Sequence, residues 1–362
     1  MYHLVGRFLH GWSIDREHHV PRQHVKSMWV EQAPDNDLSK LLAREFGFFK
    51  TRTVHEALIE GKRLGIAGVM IVAEHGHYPR NDYGQVLYPR FDILTQVVAA
   101  FHEVGAGVPV YVARQLSHDF AKAKQMVAWS RQMQFPLMGG APTPWAQRSR
   151  ELDARSETPI QEVLVAGSGP IEVGGFDAIE VLQSLAEQRN GGETGVAAVT
   201  CLTGKDVWRA GDADCWSWDL LDAALHHSTT ANLGDVRVNT GSMTVAGMPA
   251  IPATAFLVEY IDGTRGTALL LNGHLQDLVA AVAANNEIRA GRLDVLPLPG
   301  VRHYDHLAAA IETFFTTQRE PHPIERTLLT TGIIAAGMES HARRGARIET
   351  PHLQFGYCLQ TG

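Results

Sequence analysis

The chain has 362 residues, a formal net charge of −7, and 45% hydrophobic and 20% charged residues, an ordinary globular composition that excludes disordered and fibrous classes. It is long enough for two domains or one elaborate domain. An acidic balance without a basic block excludes nucleic acid as the main partner, and no apolar run approaches the roughly 18 residues of a membrane-spanning helix.

In chain order, residues 2 to 10 read as a helix with Leu4, Val5, Phe8 and Leu9 on one face. HVKSMWVE (24–31) alternates like a strand. Asp37 is placed to cap a helix over LSKLLAREFG that stops at Gly47, and a second short helix follows over Thr53 to Gly61. Val69 to Ala73 has the composition of a strand buried on both faces. It breaks into the polar loop EHGHYPRNDYGQVLYPR. A helix is expected from about Phe91 to Val104, a strand over VPVYVA (108–113), a helix from about His118 to Met133, and a strand over PLMGG (136–140). Alternating strands and helices joined by short connections predict a parallel, doubly wound sheet.

From residue 160 the pattern changes. IQEVLVAGSGPIEV reads as strand and FDAIEVLQSLAEQR as helix. GVAAVTCLTG, ATAFLVEYIDG and TRGTALLLNG read as strands, the last two joined through Asp262-Gly263. Helices follow over about 303–317 and 323–341. Hairpin returns predict an α+β half with a large, mostly antiparallel sheet. The boundary is expected near 142–158, giving a Rossmann-like domain over 1–145 and a substrate and oligomerisation domain over 146–362. Trp216 and Trp218 read as core or interface. Glu325 and Arg326 read as a first-turn helix carboxylate and its partner.

Open α/β sheets bind ligands outside the carboxyl ends of their strands. Glu74, His75 and His77 stand there as candidate proton-handling groups or metal ligands, or as groups that shape the loop. Tyr78, Tyr88 and Arg90 are candidate substrate contacts along the same loop, while Asn81 reads as turn chemistry. Arg114 and Gln115 follow the strand ending at Ala113. Cys201, Cys215 and Cys358 are odd in number and widely spaced, so neither a disulfide framework nor a thiolate zinc site is indicated. The N-terminus MYHLVGRFLHGW lacks the order of a signal peptide, and cytoplasm is the expected compartment.

Several phrases, QAPDNDLSKLLAREFG, AEHGHYPRNDYGQVLYPR, DAIEVLQSLAEQRNGGETGVAAVTCL, PIERTLLTTGI and IETPHL, resemble a branch of the glucose–fructose oxidoreductase/inositol dehydrogenase (Gfo/Idh/MocA) family. The resemblance implies a Rossmann-like half followed by an open α+β sheet, an NAD(P)-dependent oxidoreductase acting on a hydroxyl or carbonyl carbon of a polar small molecule, and a homodimer or higher homo-oligomer. It also implies cofactor contacts at Glu74, His75, Arg114 and Gln115, catalytic roles for Arg114, Asp177, His75 and Glu74, and substrate contacts at His77, Tyr78, Tyr88, Arg90 and Glu180.

Three departures accompany it. GxGxxG does not occur, and residues 2 to 10 already take the place of the first helix, so either the start lies ahead of Met1 or the usual grip on the cofactor is lost. Arg114 stands near the family's lysine, and an arginine does not cycle a proton near neutral pH. Asp177 stands where the family places histidine; a helix N-cap is its simplest structural reading. These departures define an alternative, a redox-neutral lyase, isomerase or hydrolase using Glu74, His75, Asp177 and a divalent metal, and a second, a non-catalytic binding subunit.

Overall fold

The computed structural model describes residues 2–152, 159–241, 251–285, 287–295 and 301–359. These form two compact units: residues 1–79, 86–140 and 304–324 in one, and 80–85, 141–303 and 325–362 in the other. Part of the boundary segment expected at 142–158, residues 153–158, lies outside the described residues.

The first unit opens with α1 (Tyr2–His10), which buries Leu4, Val5 and Phe8. The hairpin β1 (Trp12–Ile14) and β2 (Glu17–His19) leads to β3 (Ser27–Trp29). Next come α2 (Ser39–Phe46), β4 (Phe49–Thr51), α3 (Val54–Leu58) and the small hairpin β5 (Ile59–Glu60) and β6 (Arg63–Leu64). The N-cap of α2 is Leu38, one residue past the expected Asp37, whose carboxylate accepts from the Ser39 N–H instead. Gly47 ends that helix at φ 74°, the left-handed conformation glycine adopts freely. Then β7 (Val69–Ile71), α4 (Arg90–Val104), β8 (Val110–Ala113), α5 (Phe120–Met133) and β9 (Leu137–Gly140) complete the alternation. Asp119 caps α5 by accepting from the Ala121 and Lys122 N–H groups.

All pairings among β3, β4, β7, β8 and β9 are parallel, as a doubly wound sheet requires, but they fall into two groups: β3–β4 and β7–β8–β9. The parallel strands of this unit are therefore divided between two separate sheets. β8 and β9 are buried along their whole length, whereas β3 is half-exposed throughout.

The second unit contains β10 (Ile160–Gly167), α6 (Ile171–Ala186), β11 (Val196–Thr203), α7 (Lys205–Asp212), α8 (Trp218–Leu225), α9 (Val236–Asn239), β12 (Thr254–Tyr260), β13 (Arg265–Leu270), β14 (Leu278–Ala284), β15 (Glu287–Leu293), α11 (Ile324–Ala342) and β16 (Ile348–Glu349). Helix α10 (His303–Thr317) groups with the first unit from Tyr304 onward. Seven strands form one sheet in the order β15-β14-β10-β13-β12-β11-β16, antiparallel except for the β10–β13 pair. On one face, α6 and α11 pack over Phe256. On the other, Leu164, Val279 and Ala281 meet Trp216, Leu220 and Leu221 of the α7–α8 region.

One sequence expectation is corrected here. PIEV is the start of α6 and not strand, because Gly174 and Gly175 lie inside the helix. A Cβ at Gly175 would fall 2.6 Å from the Phe256 ring, so the two glycines permit close packing and do not break the helix. Arg326 donates from Nε and Nη2, one edge of its guanidinium, to the two carboxylate oxygens of Glu187.

Candidate active site

In the first unit, the polar residues gather at the carboxyl ends of β3, β7 and β8. After β7, Gly76 adopts φ 140°, and a Cβ there would lie 2.4 Å from the Tyr78 ring. Glu74 meets Arg114, with Nε and Oε1 3.5 Å apart and each side chain 13% exposed. Arg114 has φ 66°, uncommon for a side-chain-bearing residue and costing on the order of 1 kcal/mol. Its backbone is held there by two bonds with Gly140, N–H to O at 2.9 Å and O from N–H at 3.2 Å. The guanidinium is thus set beside Glu74 at the mouth of the parallel strands, with its charge permanent.

The start of the loop, His77 and Tyr78, is tied to the residues that follow β3. The His77 N–H donates to Gln32 Oε1 at 2.8 Å, and the Tyr78 hydroxyl donates to Glu31 at 2.5 Å. Burial, then the Glu31 carboxylate, raises the Tyr78 pKa well above that of a free phenol, so Tyr78 remains a donor at physiological pH. Its ring meets Tyr88 edge-on at 5.6 Å, and the buried Arg90 guanidinium lies 4.8 Å from the Tyr88 ring centroid. Gln115, next to Arg114, is buried. Sequence reading missed Glu31 and Gln32. Their signal was position, at the end of a strand neighbouring the ligand-binding edge, but their partners stand 45 or more residues away. Asn81 builds a turn, its side-chain oxygen accepting from the Tyr83 and Gln85 N–H groups.

Asp177 and Glu180 belong to the second unit. Asp177 is not an N-cap: α6 begins at Ile171 behind Pro170, so Asp177 lies inside the helix. Its carbonyl accepts from the Thr143 hydroxyl at 3.0 Å. Glu180, one turn on along the same face, is fully buried, accepting from the Ala141 N–H at 3.1 Å and from the Thr330 hydroxyl. Burial pushes its pKa up to about 7, against the lowering effects of Thr330 and Arg326. With both oxygens engaged by the protein, Glu180 anchors α6 to α11 and to the start of the second unit.

A cavity of about 440 Å³ lies wholly within the first unit. It runs between Val25–Gln32 of the β3 segment and Gly65–Ala73 of the β7 segment, with Val5 and Phe8 of α1 and Phe315 of α10 among its walls. His75 and Tyr78 stand at the strand-end side. Among the described residues no group of three or more His, Cys, Asp or Glu side chains is arranged to hold a metal ion. No described helix is long and apolar enough to cross a membrane.

No protein-family model and no curated protein matches the sequence. Solved structures do match, over nearly the whole chain. GenD2 from gentamicin A biosynthesis, solved with NAD, is 14% identical with a TM-score of 0.58, covering 91% of this chain and 90% of its own. An oxidoreductase from Agrobacterium radiobacter, solved with NAD+, L-tartaric acid and magnesium, is 11% identical with a TM-score of 0.55, covering 90% of this chain and 91% of its own. A myo-inositol dehydrogenase from Corynebacterium glutamicum is 11% identical with a TM-score of 0.53, covering 90% of each chain. The fold is therefore the one read from the sequence, a Rossmann-like unit with a large α+β sheet as in Gfo/Idh/MocA-type inositol dehydrogenases.

Proposed function

We propose that the chain is an oxidoreductase that exchanges a hydride between a nicotinamide cofactor and the hydroxyl or carbonyl carbon of a polar small molecule. The observation that carries this reading is the Glu74–Arg114 pair, set by a left-handed backbone turn at the carboxyl ends of parallel strands, in a fold shared with NAD-bound proteins. The fit to a dinucleotide is partial. Glu31, ending β3, offers a carboxylate of the kind that binds ribose hydroxyls. The described residues include no glycine-rich turn between a strand and α1 to cradle a pyrophosphate.

The roles assigned to the chain's own residues follow from their chemistry. Arg114 orients an anionic substrate group or stabilises charge on a carbonyl oxygen. Glu74 fixes the guanidinium. His75 and Asp177 are the proton-handling candidates, and His77, Tyr78, Tyr88 and Arg90 shape the substrate side. Glu180 holds α6, which carries Asp177. The metal-assisted form of the redox-neutral reading lacks a donor set among the described residues.

The test is titration of the purified chain with NAD(H) and NADP(H) by intrinsic fluorescence, followed by turnover on a panel of polyols and hydroxy acids. Saturable quenching by one nucleotide is expected, with at least a hundredfold loss of kcat/KM in Arg114→Ala and unchanged nucleotide affinity. Turnover of a substrate without either nucleotide would overturn the proposal in favour of redox-neutral chemistry.

A further inference from the structure

The seven-stranded sheet of the second unit has both faces covered, by α6 and α11 on one side and by the α7–α8 region on the other. Its edges remain. β16 at one end is two residues long, whereas β15 at the other runs for seven, Glu287–Leu293, and pairs with β14 without a bulge. Part of the outer side of β15 is already taken. The Ser149 N–H donates to the Arg292 carbonyl at 3.0 Å, the Arg292 N–H to Ser149 Oγ at 3.1 Å, and the Asp294 N–H to the Gln147 carbonyl at 2.8 Å. Residues 292 and 294 therefore turn their peptide groups outward, and strand alternation carries Ile288 and Ala290 with them. Among the described residues, no hydrogen bond reaches Ile288 or Ala290 from that side.

The side chains along this free stretch are equally specific. Glu287 and Arg289 share one face of β15, with Arg289 Nη2 3.9 Å from Glu287 Oε2 and the glutamate side chain 73% exposed. Ile288 stands between them on the other face, 46% exposed, on the side where Ala290 joins the apolar cluster of Trp216, Leu220 and Leu221. Edges built to refuse a partner carry a proline or charges that repel a second copy. β15 carries an acid and a base at the spacing at which two antiparallel copies answer each other. With a two-fold axis at Ile288, each Glu287 faces the Arg289 of the other copy. Moving the axis one residue either way sets Glu287 against Glu287 or Arg289 against Arg289, like charges directly opposite. An axis at Ala290 would bring Ile288 opposite Arg292, whose outer side Ser149 holds. Of these registers, only the one at Ile288 is free of conflict.

We propose that β15 is a dimerisation edge, on which a second copy of the chain lays its own β15 antiparallel about a two-fold axis at Ile288. The two seven-stranded sheets then run on as one. Ile288 turns its peptide groups outward, so the two copies exchange both N–H to carbonyl bonds at the axis. Each Glu287–Arg289 pair meets its reversed counterpart, and four charges alternate in sign across the seam. A closed two-fold contact uses the same patch on both copies and leaves that end of the sheet without a free edge. The ladder is short and its charges lie near solvent, which places the contact among small, salt-sensitive interfaces. Neither Glu287 nor Arg289 belongs to the candidate active site, so the dimer stands or falls independently of the oxidoreductase reading.

The experiment measures the mass of the full chain by light scattering after gel filtration, at about 100 µM protein and low salt. It compares the parent chain with Glu287→Arg, with Arg289→Glu, and with an equimolar mixture of the two variants. Each variant alone sets like charges opposite each other across the seam, and its mass is expected to fall to half that of the parent, with association weakened at least tenfold. In the mixture every arginine faces a glutamate, so the parent mass is expected to return as a one-to-one complex, which also shows that both variants are folded. A parent chain that is monomeric under these conditions, a single variant that keeps the parent mass, or a mixture that stays at half that mass would overturn the proposal.

Discussion

Glu180 and Arg326 show how differently two buried charges on packed helices act. The Glu180 carboxyl has a pKa raised from 4.5 to about 7 by burial. A carboxyl with a raised folded pKa keeps its proton in the folded state while the unfolded chain loses it, so stability falls as pH rises from about 4.5 to about 7 and then levels off. Glu180→Gln keeps an acceptor for the Ala141 N–H and removes the charge. We expect it to flatten that part of the urea-unfolding profile and to raise stability at pH 8 by roughly 3 kcal/mol; a profile as steep as that of the parent chain would count against this assignment. Arg326 is the opposite case. Its guanidinium is the ion-pair partner of the buried Glu187 carboxylate, which also accepts from the Tyr357 hydroxyl at 2.6 Å. Arg326→Ala strands Glu187 and should cost about 3–5 kcal/mol in denaturant unfolding. The sequence marked Glu180 and Arg326 as worth attention, but their partners were illegible. Ala141, Thr330 and Glu187 become neighbours only when α6 and α11 cross the same sheet face, and no local spacing encodes that.

At the scale of elements, short apolar runs bounded by polar turns were legible, and β8 and β9 fall where VPVYVA and PLMGG place them. The start of α6 was not, because paired glycines carry the local signal of a break while tertiary packing demands them. Gly175 on α6 and Gly337 on α11 both face Phe256 of β12, each with a would-be Cβ 2.6 Å from its ring. Strand β14 also escaped notice, since LVAAVAA lacks the alternation that marks a strand; it is buried between β10 and β15 on a covered sheet. In an exposed helix Gly→Ala stabilises by up to about 1 kcal/mol. Gly175→Ala is expected to reverse that sign, costing about 1–3 kcal/mol because the ring cannot yield in a packed core. Pairing it with Phe256→Leu should recover part of the loss, a coupling that a double-mutant cycle in urea measures directly.

For the molecule as a whole, the two units differ in how completely their sheets are closed. The second has seven continuous strands with apolar packing on both faces, and its central strands β10 and β13 are almost wholly buried. The first divides its parallel strands into groups of two and three, with β3 half-exposed and a cavity beside it. Local opening free energy follows buried apolar contact and ladder continuity, so the stability of the chain is unequally distributed. Hydrogen exchange followed by mass spectrometry near neutral pH should show the slowest amides in β10, β12 and β13, exchanging only on global unfolding of that unit. Amides of β3 and β7 should exchange at least a hundredfold faster, while β8, paired on both sides, and the buried β9 fall between. Equal protection of β3 and β13 would mean that the break between the two parallel groups carries no energetic cost. The predicted gradient also bears on the candidate catalytic groups of the first unit. Glu74, His75 and Arg114 stand at the strand ends of the less closed unit, where binding free energy from a ligand has the most room to order the site.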